Sequence, residues 1–362
     1  MLLTSRFGRF ITPVAATILI GFINTAQGVP LPIYWQNFEN GDGTADLSTG
    51  GGDLGIVNSA TGTVAFSSSG GIFGGALNAT GQNQQDDDPS GIATTTGGSA
   101  ISNLPNQTGN GTGSMNQFTI TYWVKHTGAA PNSGSVTPRI LTLADSGSFD
   151  AGANAVQMHL RNTGGTGTNF RTMAMPFERG SANNATNATD ADFIGTEFVA
   201  NTWYFVALTY DGTSALANDS TVQGAATGSG PTDLNGQFYK GTEDLLSPLT
   251  RLGVALTSDT SSPVPGDVSN GPVEFGSAAR LYLMNRIADT ANTAGTMNRG
   301  LQGWLDDVRI YDSVLSAADV DLVRQQGLLG IVPEPSSLTL CVMALAGLGA
   351  LRSKRGSRIV AR

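Results

Sequence analysis

The segment from Gly303 to Gly327, GWLDDVRIYDSVLSAADVDLVRQQG, constrains the fold more than any other part of the chain. In a β-strand, successive side chains point to opposite faces. The alternation predicts Trp304, Asp306, Val308 and Ile310 on one face, and Leu305, Asp307, Arg309 and Tyr311 on the other. Both faces then carry bulky apolar or aromatic groups. We therefore expect this strand to be covered on both sides.

A short helix is predicted after the strand. Ser316 followed three residues later by Asp319 is a capping-box pattern, with Asp in place of the commoner Glu. Leu315 and Val320 flank the cap at the spacing of a hydrophobic staple. Gly327 stands where a helix C-cap is expected, so the prediction is a helix over residues 317–326.

The pair Asp306-Asp307 is the unusual feature of the strand. Strict alternation would direct at least one of the two carboxylates inward, which is costly unless a cation or hydrogen-bond donors meet it. One interpretation is a structural pairing, for example an ion pair between Asp307 and Arg309. The other is a calcium site, because calcium takes several oxygen ligands from flexible loops.

Composition narrows the class of protein. Only 13% of the 362 residues are charged, the net charge is −9, and glycine is abundant at 48 residues. Nucleic-acid binding requires a basic face, so this balance argues against it. The single cysteine, Cys341, lies outside the predicted domain, so the fold depends on its hydrophobic core, helped by a metal if one binds.

Alternating strand patterns recur through the middle of the chain. Phe118, Ile120, Tyr122 and Val124 share one face of a strand, and residues 203–210 form another strong pattern. Further strands are predicted over residues 33–39, 73–78, 100–104, 139–144, 155–161, 170–177, 237–241, 249–256 and 280–286. An all-β, antiparallel two-sheet jelly-roll sandwich with one short C-terminal helix is the fold that this pattern predicts.

No catalytic constellation stands out. A retaining glycosidase needs two carboxylates about 5 Å apart, and no Glu-x-Asp-x-x-Glu strand supplies them. The two histidines, His126 and His159, form no zinc motif and are predicted to be ordinary hydrogen-bonded or surface residues. The Asp86-Asp87-Asp88 run is interpreted as a solvated charge run. Core packing is the expectation for all four tryptophans: Trp35, Trp123, Trp203 and Trp304.

Both ends of the chain look like targeting segments. Residues 1–28 read as a signal peptide, with Arg6 and Arg9 before an apolar stretch and small residues near the cleavage point. At the other end, residues 338–351 are apolar and fall short of the roughly 20 residues that a spanning helix needs. The segment is preceded by Pro333, Glu334 and Pro335 and followed by Arg352, Lys354 and Arg355. These basic residues predict a cytoplasmic tail.

The central region, residues 29–331, resembles the LamG-like, concanavalin A-like jelly-roll family. The resemblance is carried by Leu305-Asp306-Asp307-Val308-Arg309-Ile310-Tyr311, by Gly74-Gly75-Ala76-Leu77 and by the tryptophan strand that ends in Tyr210-Asp211-Gly212. It implies an Asp46 loop next to the Asp-Asp strand, with Asp46, Asp306 and Asp307 as calcium ligands. It also implies a domain that binds carbohydrate or protein.

Residues 332–362 resemble the PEP-CTERM sorting signal of Gram-negative bacteria, in which a Pro-Glu-Pro, an apolar segment and a basic tail follow one another. The resemblance implies a transient inner-membrane anchor, processing by an exosortase, and delivery to the cell surface or extracellular matrix. The leading hypothesis is therefore an exported, non-catalytic binding protein. A polysaccharide-degrading glycosidase or lyase on the same fold, and a passive matrix component, are the alternatives.

Overall fold

The computed structural model divides the chain into two compact units, Leu31–Ile331 and a unit made of Met1–Pro30 with Val332–Arg362. The structure describes residues 29–45, 47–48, 53–58, 62–82, 92–95, 113–115, 117–127, 138–144, 155–161, 172–174, 177–178, 198–211, 213, 236–254, 273–275, 280–285 and 300–329. The predicted signal peptide, the strand at 100–104, the Asp86-Asp87-Asp88 run and the whole sorting signal lie outside these residues.

The described part of the chain contains eighteen β-strands and one α-helix. They are β1 (Tyr34–Gln36), β2 (Leu47–Ser48), β3 (Leu54–Val57), β4 (Thr63–Ser67), β5 (Ala76–Gly81), β6 (Ile92–Thr95), β7 (Gly113–Met115), β8 (Gln117–His126), β9 (Arg139–Ala144), β10 (Ala155–Arg161), β11 (Thr172–Ala174), β12 (Phe177–Glu178), β13 (Tyr204–Asp211), β14 (Gly236–Gly241), β15 (Thr250–Val254), β16 (Val273–Phe275), β17 (Arg280–Leu283), β18 (Gly303–Tyr311) and α1 (Ala317–Leu329).

The strands form two large sheets. The nine-stranded sheet has the order β15-β14-β13-β8-β18-β1-β2, with β5 beside β18 and β4 beside β5. The seven-stranded sheet has the order β11-β10-β9-β17-β6-β3, with β12 beside β10. β7 and β16 form a separate ribbon. Neighbouring strands in both large sheets pair antiparallel, for example β8 with β13 and β9 with β10. The predicted two-sheet antiparallel sandwich is therefore confirmed.

The core lies between the inner faces of the two large sheets. In the nine-stranded sheet it takes alternate residues of β8 and β13, and in the seven-stranded sheet it takes residues of β9, β10 and β17. These side chains include Phe118, Ile120, Tyr122, Val124, Tyr204, Val206, Leu208, Leu143, Val156, Met158, Leu160, Leu281 and Leu283. The predicted common face of β8 is confirmed, because all four of its apolar residues belong to this core.

The outer face of the nine-stranded sheet is partly covered by the segment that leads into α1. Thr119 on β8 donates its hydroxyl hydrogen to the Ser313 carbonyl at 2.8 Å and accepts the Leu315 N–H at 2.9 Å. The predicted capping box is confirmed: the Ser316 hydroxyl donates to Asp319 at 2.6 Å and accepts the Asp319 N–H at 3.2 Å.

The predicted end of the helix at Gly327 is wrong, because α1 continues to Leu329. A C-cap glycine must adopt a positive φ. Among the described glycines only Gly41, Gly70 and Gly74 do so, and Gly327 keeps the helical conformation. No helix in the described ranges is long and apolar enough to cross a membrane.

The alternation predicted for β18 is also wrong, because the strand contains a β-bulge. Its pairing with β8 shifts register between Asp306 and Arg309, and Asp307 has a φ of 50°. One extra residue reverses the faces of all residues that follow it. Leu305, Val308 and Ile310 therefore all reach the core.

One further segment differs from its prediction. The strand predicted over residues 73–78 begins only at Ala76, and Phe73 belongs to the preceding loop, whose backbone is turned by positive φ angles at Gly70 and Gly74. Of the strand predicted over 170–177, the described parts are β11 and β12, which both pair with β10 in the same register.

Candidate functional site

The Asp306 carboxylate holds a glycine-rich loop, residues 70–75, against the outer face of the nine-stranded sheet. Asp306 is 0% exposed. Its Oδ2 accepts the backbone N–H groups of Ile72 at 2.9 Å and Phe73 at 3.3 Å, and its Oδ1 accepts the Asp307 N–H at 2.7 Å. Phe73 then packs edge-on against Trp123, with ring centroids 6.0 Å apart. We call this arrangement the Asp306 clasp.

The environment of Asp306 favours its protonated form. Burial raises its pKa from 3.8 to about 8, and the negative charges of Asp307 and Glu39 add to the rise. The N–H groups of Phe73 and Asp307 act in the opposite direction without cancelling the effect of burial. A buried carboxyl that three backbone donors surround is a structural acceptor with no open face for a substrate.

Asp307 forms the second half of the pair and serves a different set of partners. Its Oδ1 accepts the Trp35 indole N–H at 2.7 Å and the Arg309 Nε–H at 2.9 Å. The guanidinium of Arg309 lies 4.7 Å from the Trp35 ring centroid. Burial alone would lower the pKa of Arg309, but Asp307 and Tyr311 hold it above its usual value. The ion pair predicted between Asp307 and Arg309 is thus confirmed.

The calcium hypothesis has one supporting observation and one opposing observation. Asp307 Oδ2 is buried and has no hydrogen-bond partner, so it could face a cation. Both oxygens of Asp306, by contrast, already accept backbone N–H groups. No group of three or more His, Cys, Asp or Glu side chains suited to a metal occurs among the described residues. Asp46 lies outside them, so its convergence with Asp306 and Asp307 stays a prediction.

A second feature of the same face is a row of four side chains that we call the outer-face row: Trp203, Lys125, Trp304 and Asn78. Lys125 on β8 pairs directly with Trp304 on β18, and Trp304 pairs with Asn78 on β5. Trp203 immediately precedes β13, whose Tyr204 pairs with the neighbour of Lys125. The four side chains therefore follow one another across adjacent strands, which are spaced about 4.8 Å apart.

Lys125 is the centre of the row. Its Nζ lies 4.7 Å from the Trp203 ring centroid and 5.6 Å from that of Trp304. Partial burial lowers the pKa of Lys125, and the charge of Glu243 partly offsets this effect. Among the described residues, no carboxylate forms an ion pair with Lys125. The Asn78 side-chain oxygen accepts both the Thr80 N–H and the Thr80 hydroxyl. This oxygen therefore points toward Thr80.

The loop held by the Asp306 clasp also fixes Trp304. A Cβ atom on residue 70 would lie 2.7 Å from Cη2 and Cζ3 of Trp304, and Gly70 has a φ of 94°. Only glycine suits both the close approach and this backbone conformation. The indole of Trp304 is therefore seated against the loop backbone.

Two of the four tryptophans are buried as expected, but on the outer face of the nine-stranded sheet and not in the core between the sheets. Trp123 is 0% exposed between Phe73 and Phe205, and Trp203 is 7% exposed. Trp35 and Trp304 are half-buried on the outer face, so for them the expectation is wrong.

Sequence reasoning missed Lys125 and Asn78. The available signal was a lysine placed two residues after Trp123, on the face of β8 opposite to its core residues. The two histidines add no chemistry to this face. His126 is buried and its Nε2 lies 2.6 Å from the Phe198 carbonyl oxygen, which agrees with the predicted hydrogen-bonded residue. Of His159 only the backbone, in β10, is described.

Comparison with known proteins gives distant matches in structure and none in sequence. No protein-family model and no curated protein matches the chain. Domain 4 of AbnA, a GH43 extracellular arabinanase from Geobacillus stearothermophilus solved with arabinotriose, matches with a TM-score of 0.40 and 17% identity over 82% of this chain and 98% of that chain. The botulinum neurotoxin serotype G binding domain matches with a TM-score of 0.42 and 10% identity, over 81% of this chain and 50% of that chain.

A SAP-like pentraxin from Limulus polyphemus matches with a TM-score of 0.33 and 12% identity, over 58% of this chain and 70% of that chain. The chain thus spans about half the length of the neurotoxin domain and nearly the whole of the arabinanase domain. With TM-scores below 0.5, these likenesses carry no conclusion about ligand or activity. The sandwich assignment rests on the strand pairing described above.

Proposed function

We propose that this chain is an exported, non-catalytic surface or extracellular-matrix protein whose LamG-like sandwich domain binds carbohydrate. The observation that carries the proposal is the outer-face row, in which the half-buried indole of Trp304 lies between the ammonium group of Lys125 and the amide of Asn78 on adjacent strands, with the buried Trp203 on the far side of Lys125. An aromatic ring provides an apolar surface for the C–H face of a sugar, while neighbouring polar groups bind its hydroxyls.

The state of the Asp-Asp pair supports a binding role over a catalytic one. Hydrolysis by two carboxylates needs one acid and one nucleophile or base that both reach the glycosidic bond. Asp306 is 0% exposed and Asp307 is 1% exposed. Their oxygens accept hydrogen bonds from Ile72, Phe73, Trp35 and Arg309, which hold the loop and the bulge in place.

The two ends of the chain support the cellular part of the proposal. Residues 1–28 have the pattern of a signal peptide, and residues 332–362 that of a PEP-CTERM tail. We therefore propose an exosortase as processing partner, with the apolar segment 338–351 acting as a transient inner-membrane anchor. Processing would leave the sandwich at the cell surface or in the matrix. Mass determination of the chain from its native envelope tests this, since an intact residue 362 would contradict it.

Calcium belongs to the proposal as an accessory ion. The unpartnered, buried Asp307 Oδ2 supports it, and the negative charges of Asp307 and Glu39 both act on the neighbouring Asp306 carboxyl. An ion bound only by the native state raises the melting temperature. We expect Asp46→Ala and Asp307→Asn to abolish any rise that calcium causes. A melt that is the same in calcium and in chelator would remove calcium from the proposal.

The central experiment is binding of the full-length chain to a glycan array, followed by titration of the strongest polysaccharide. Trp304→Ala is expected to weaken binding about fivefold, because aromatic contacts contribute about 1 kcal/mol beyond buried area. Trp304→Phe is the matched control and is expected to retain most of the affinity. Thermal melting of each variant separates lost binding from lost folding.

Three outcomes would overturn the proposal. Release of new reducing or unsaturated sugar ends by the wild-type chain would assign it to the polysaccharide-degrading alternative. Binding of a surface protein with no glycan bound would replace carbohydrate by protein as the ligand class. No ligand of either class would favour the passive matrix component.

A further inference from the structure

We infer that the outer-face row selects anionic carbohydrate, specifically chains whose sugar rings carry a carboxylate, as in uronic acids. The inference rests on the proposed function and adds the chemical class of the ligand. Its basis is the position of one cation, Lys125, in direct register with a half-buried indole.

Lys125 is an unusual residue for its place. The chain carries a net charge of −9, yet the centre of this surface is a lysine between two tryptophans. Glu243 influences it through its charge but forms no ion pair with it. Among the described residues, the close contacts of the ammonium group are the two indole rings, and Glu243 acts on it only at longer range. A carboxylate on a ligand would supply the short-range counter-charge.

The geometry places this cation next to an apolar ring, the indole of Trp304, on the adjacent strand. Trp304 offers part of its indole to solvent and is seated on Gly70 at the other edge. A ligand that stacks on Trp304 would place its substituents toward Lys125 on one flank and Asn78 on the other. A uronic acid combines both requirements, because a carboxylate is attached directly to a ring with an apolar C–H face.

Other ligands satisfy only part of this arrangement. A neutral sugar would stack on Trp304 but leave the half-buried ammonium group without a counter-charge, and covering it further would cost free energy. A simple inorganic anion would pair with Lys125 but make no use of the indole. Burial lowers the pKa of Lys125, and a bound carboxylate would reverse that effect by favouring the charged form.

A matched control exists within the same domain. Lys240 on β14 also lies over aromatic rings, 4.5 Å from the Phe198 centroid and 4.6 Å from the Tyr204 centroid. Tyr204 belongs to the core, so Lys240 stands over the inner side of the sheet rather than in the outer-face row. Replacing Lys240 removes one positive charge and two cation–aromatic contacts from the domain and changes no residue of the row.

The test measures binding of the full-length chain to polygalacturonate, alginate and hyaluronan, each beside its carboxyl-reduced neutral form. We expect at least one uronate polymer to bind about tenfold more tightly than its reduced form, because hydrogen bonds to charged groups contribute about 1.5 kcal/mol. Lys125→Met should abolish this preference, Lys125→Arg should keep it within about threefold, and Lys240→Met should leave it unchanged. Dextran sulfate serves as a probe of charge without a ring-attached carboxylate.

The outcomes distinguish a failure of this inference from a failure of the proposed carbohydrate binding. Equal affinity for the uronate and reduced forms, or a preference that survives Lys125→Met, overturns the inference while leaving carbohydrate binding intact. Dextran sulfate binding as tightly as the best uronate polymer overturns the carboxylate assignment in favour of unspecific charge attraction. Failure of the chain to bind any charged or neutral glycan overturns the proposed function itself.

Discussion

Asp306→Asn is the most informative single change, because it alters the charge of the Asp306 clasp with little change in shape. The wild-type carboxyl has a pKa of about 8 in the folded chain against a usual value of 3.8. The folded state therefore holds a proton that the unfolded chain releases at neutral pH. Asparagine does not titrate, so the difference in stability between the wild type and Asp306→Asn reports the titration of this one carboxyl group.

The sign of the pH effect follows from the raised pKa. A group whose pKa is higher in the folded state contributes stability that is complete below its unfolded pKa. This contribution is lost as the pH rises through the folded value, here about 8. Between the unfolded and the folded pKa, each pH unit lowers this contribution by about 1.4 kcal/mol. The interval from pH 5 to pH 8 therefore lowers it by about 4 kcal/mol. The free energy of unfolding of the wild type should fall by about this amount relative to Asp306→Asn between pH 5 and pH 9.

The absolute effect at pH 5 should have the opposite sign. The asparagine oxygen can still accept the N–H groups of Ile72 and Phe73, but its amide N–H₂ then faces the Asp307 N–H. Two donors facing each other in a buried place cost about 1–3 kcal/mol. We expect Asp306→Asn to be less stable than the wild type at pH 5 and more stable at pH 9.

The assay is urea unfolding of the full-length chain in chelator at pH 5, 7 and 9, with linear extrapolation to zero urea. Asp312→Asn, which changes an exposed aspartate just after β18, is the matched control for the removal of one carboxylate. If the Asp306→Asn difference stays constant across this range within about 0.5 kcal/mol, burial does not hold the proton and our account of the clasp is wrong. Repeating the series in calcium then tests whether an ion keeps the carboxylate charged.

Three further changes probe the supports of the outer face. Arg324→Met removes a 0% exposed guanidinium that donates to the carbonyls of Thr242, Asp244 and Ser247, and urea unfolding should show a loss of about 3 kcal/mol or more. Gly70→Ala should cost about 1–3 kcal/mol and shift the tryptophan fluorescence, because its Cβ would meet the Trp304 ring. Ser316→Ala removes the N-cap of α1 and should cost about 1 kcal/mol in the same unfolding assay, with no effect on glycan binding.

Local rules predicted much of this architecture. The alternation in β8 predicted its core face, because a ten-residue strand with regular spacing leaves one register that buries its apolar side chains. The capping box of α1 depends on residues only three apart, so its hydrogen bonds could be expected from the sequence. Features that depend on neighbours in the chain were therefore predictable.

The arrangement of the candidate site depends on contacts between distant segments. Asp306 and Ile72 are 234 positions apart in the chain, and Trp35 and Asp307 are 272 apart. No local periodicity reports such pairs. The same holds for the outer-face row, because strand order and register set which residues of β5, β8 and β18 lie side by side.

The bulge explains the two adjacent aspartates by strand geometry alone, without a metal ion. Without the extra residue, Asp307 and Arg309 would share the core face with Leu305, while Val308 and Ile310 would face outward. This bulge contains one residue with positive φ, and aspartate tolerates that conformation better than most residues. Asp307 fills this position, while Asp306 beside it receives the loop that seats Trp304. The two carboxylates thus accompany the change of strand register and hold the loop against which Trp304 is seated, so one segment shapes the surface that we propose to bind carbohydrate.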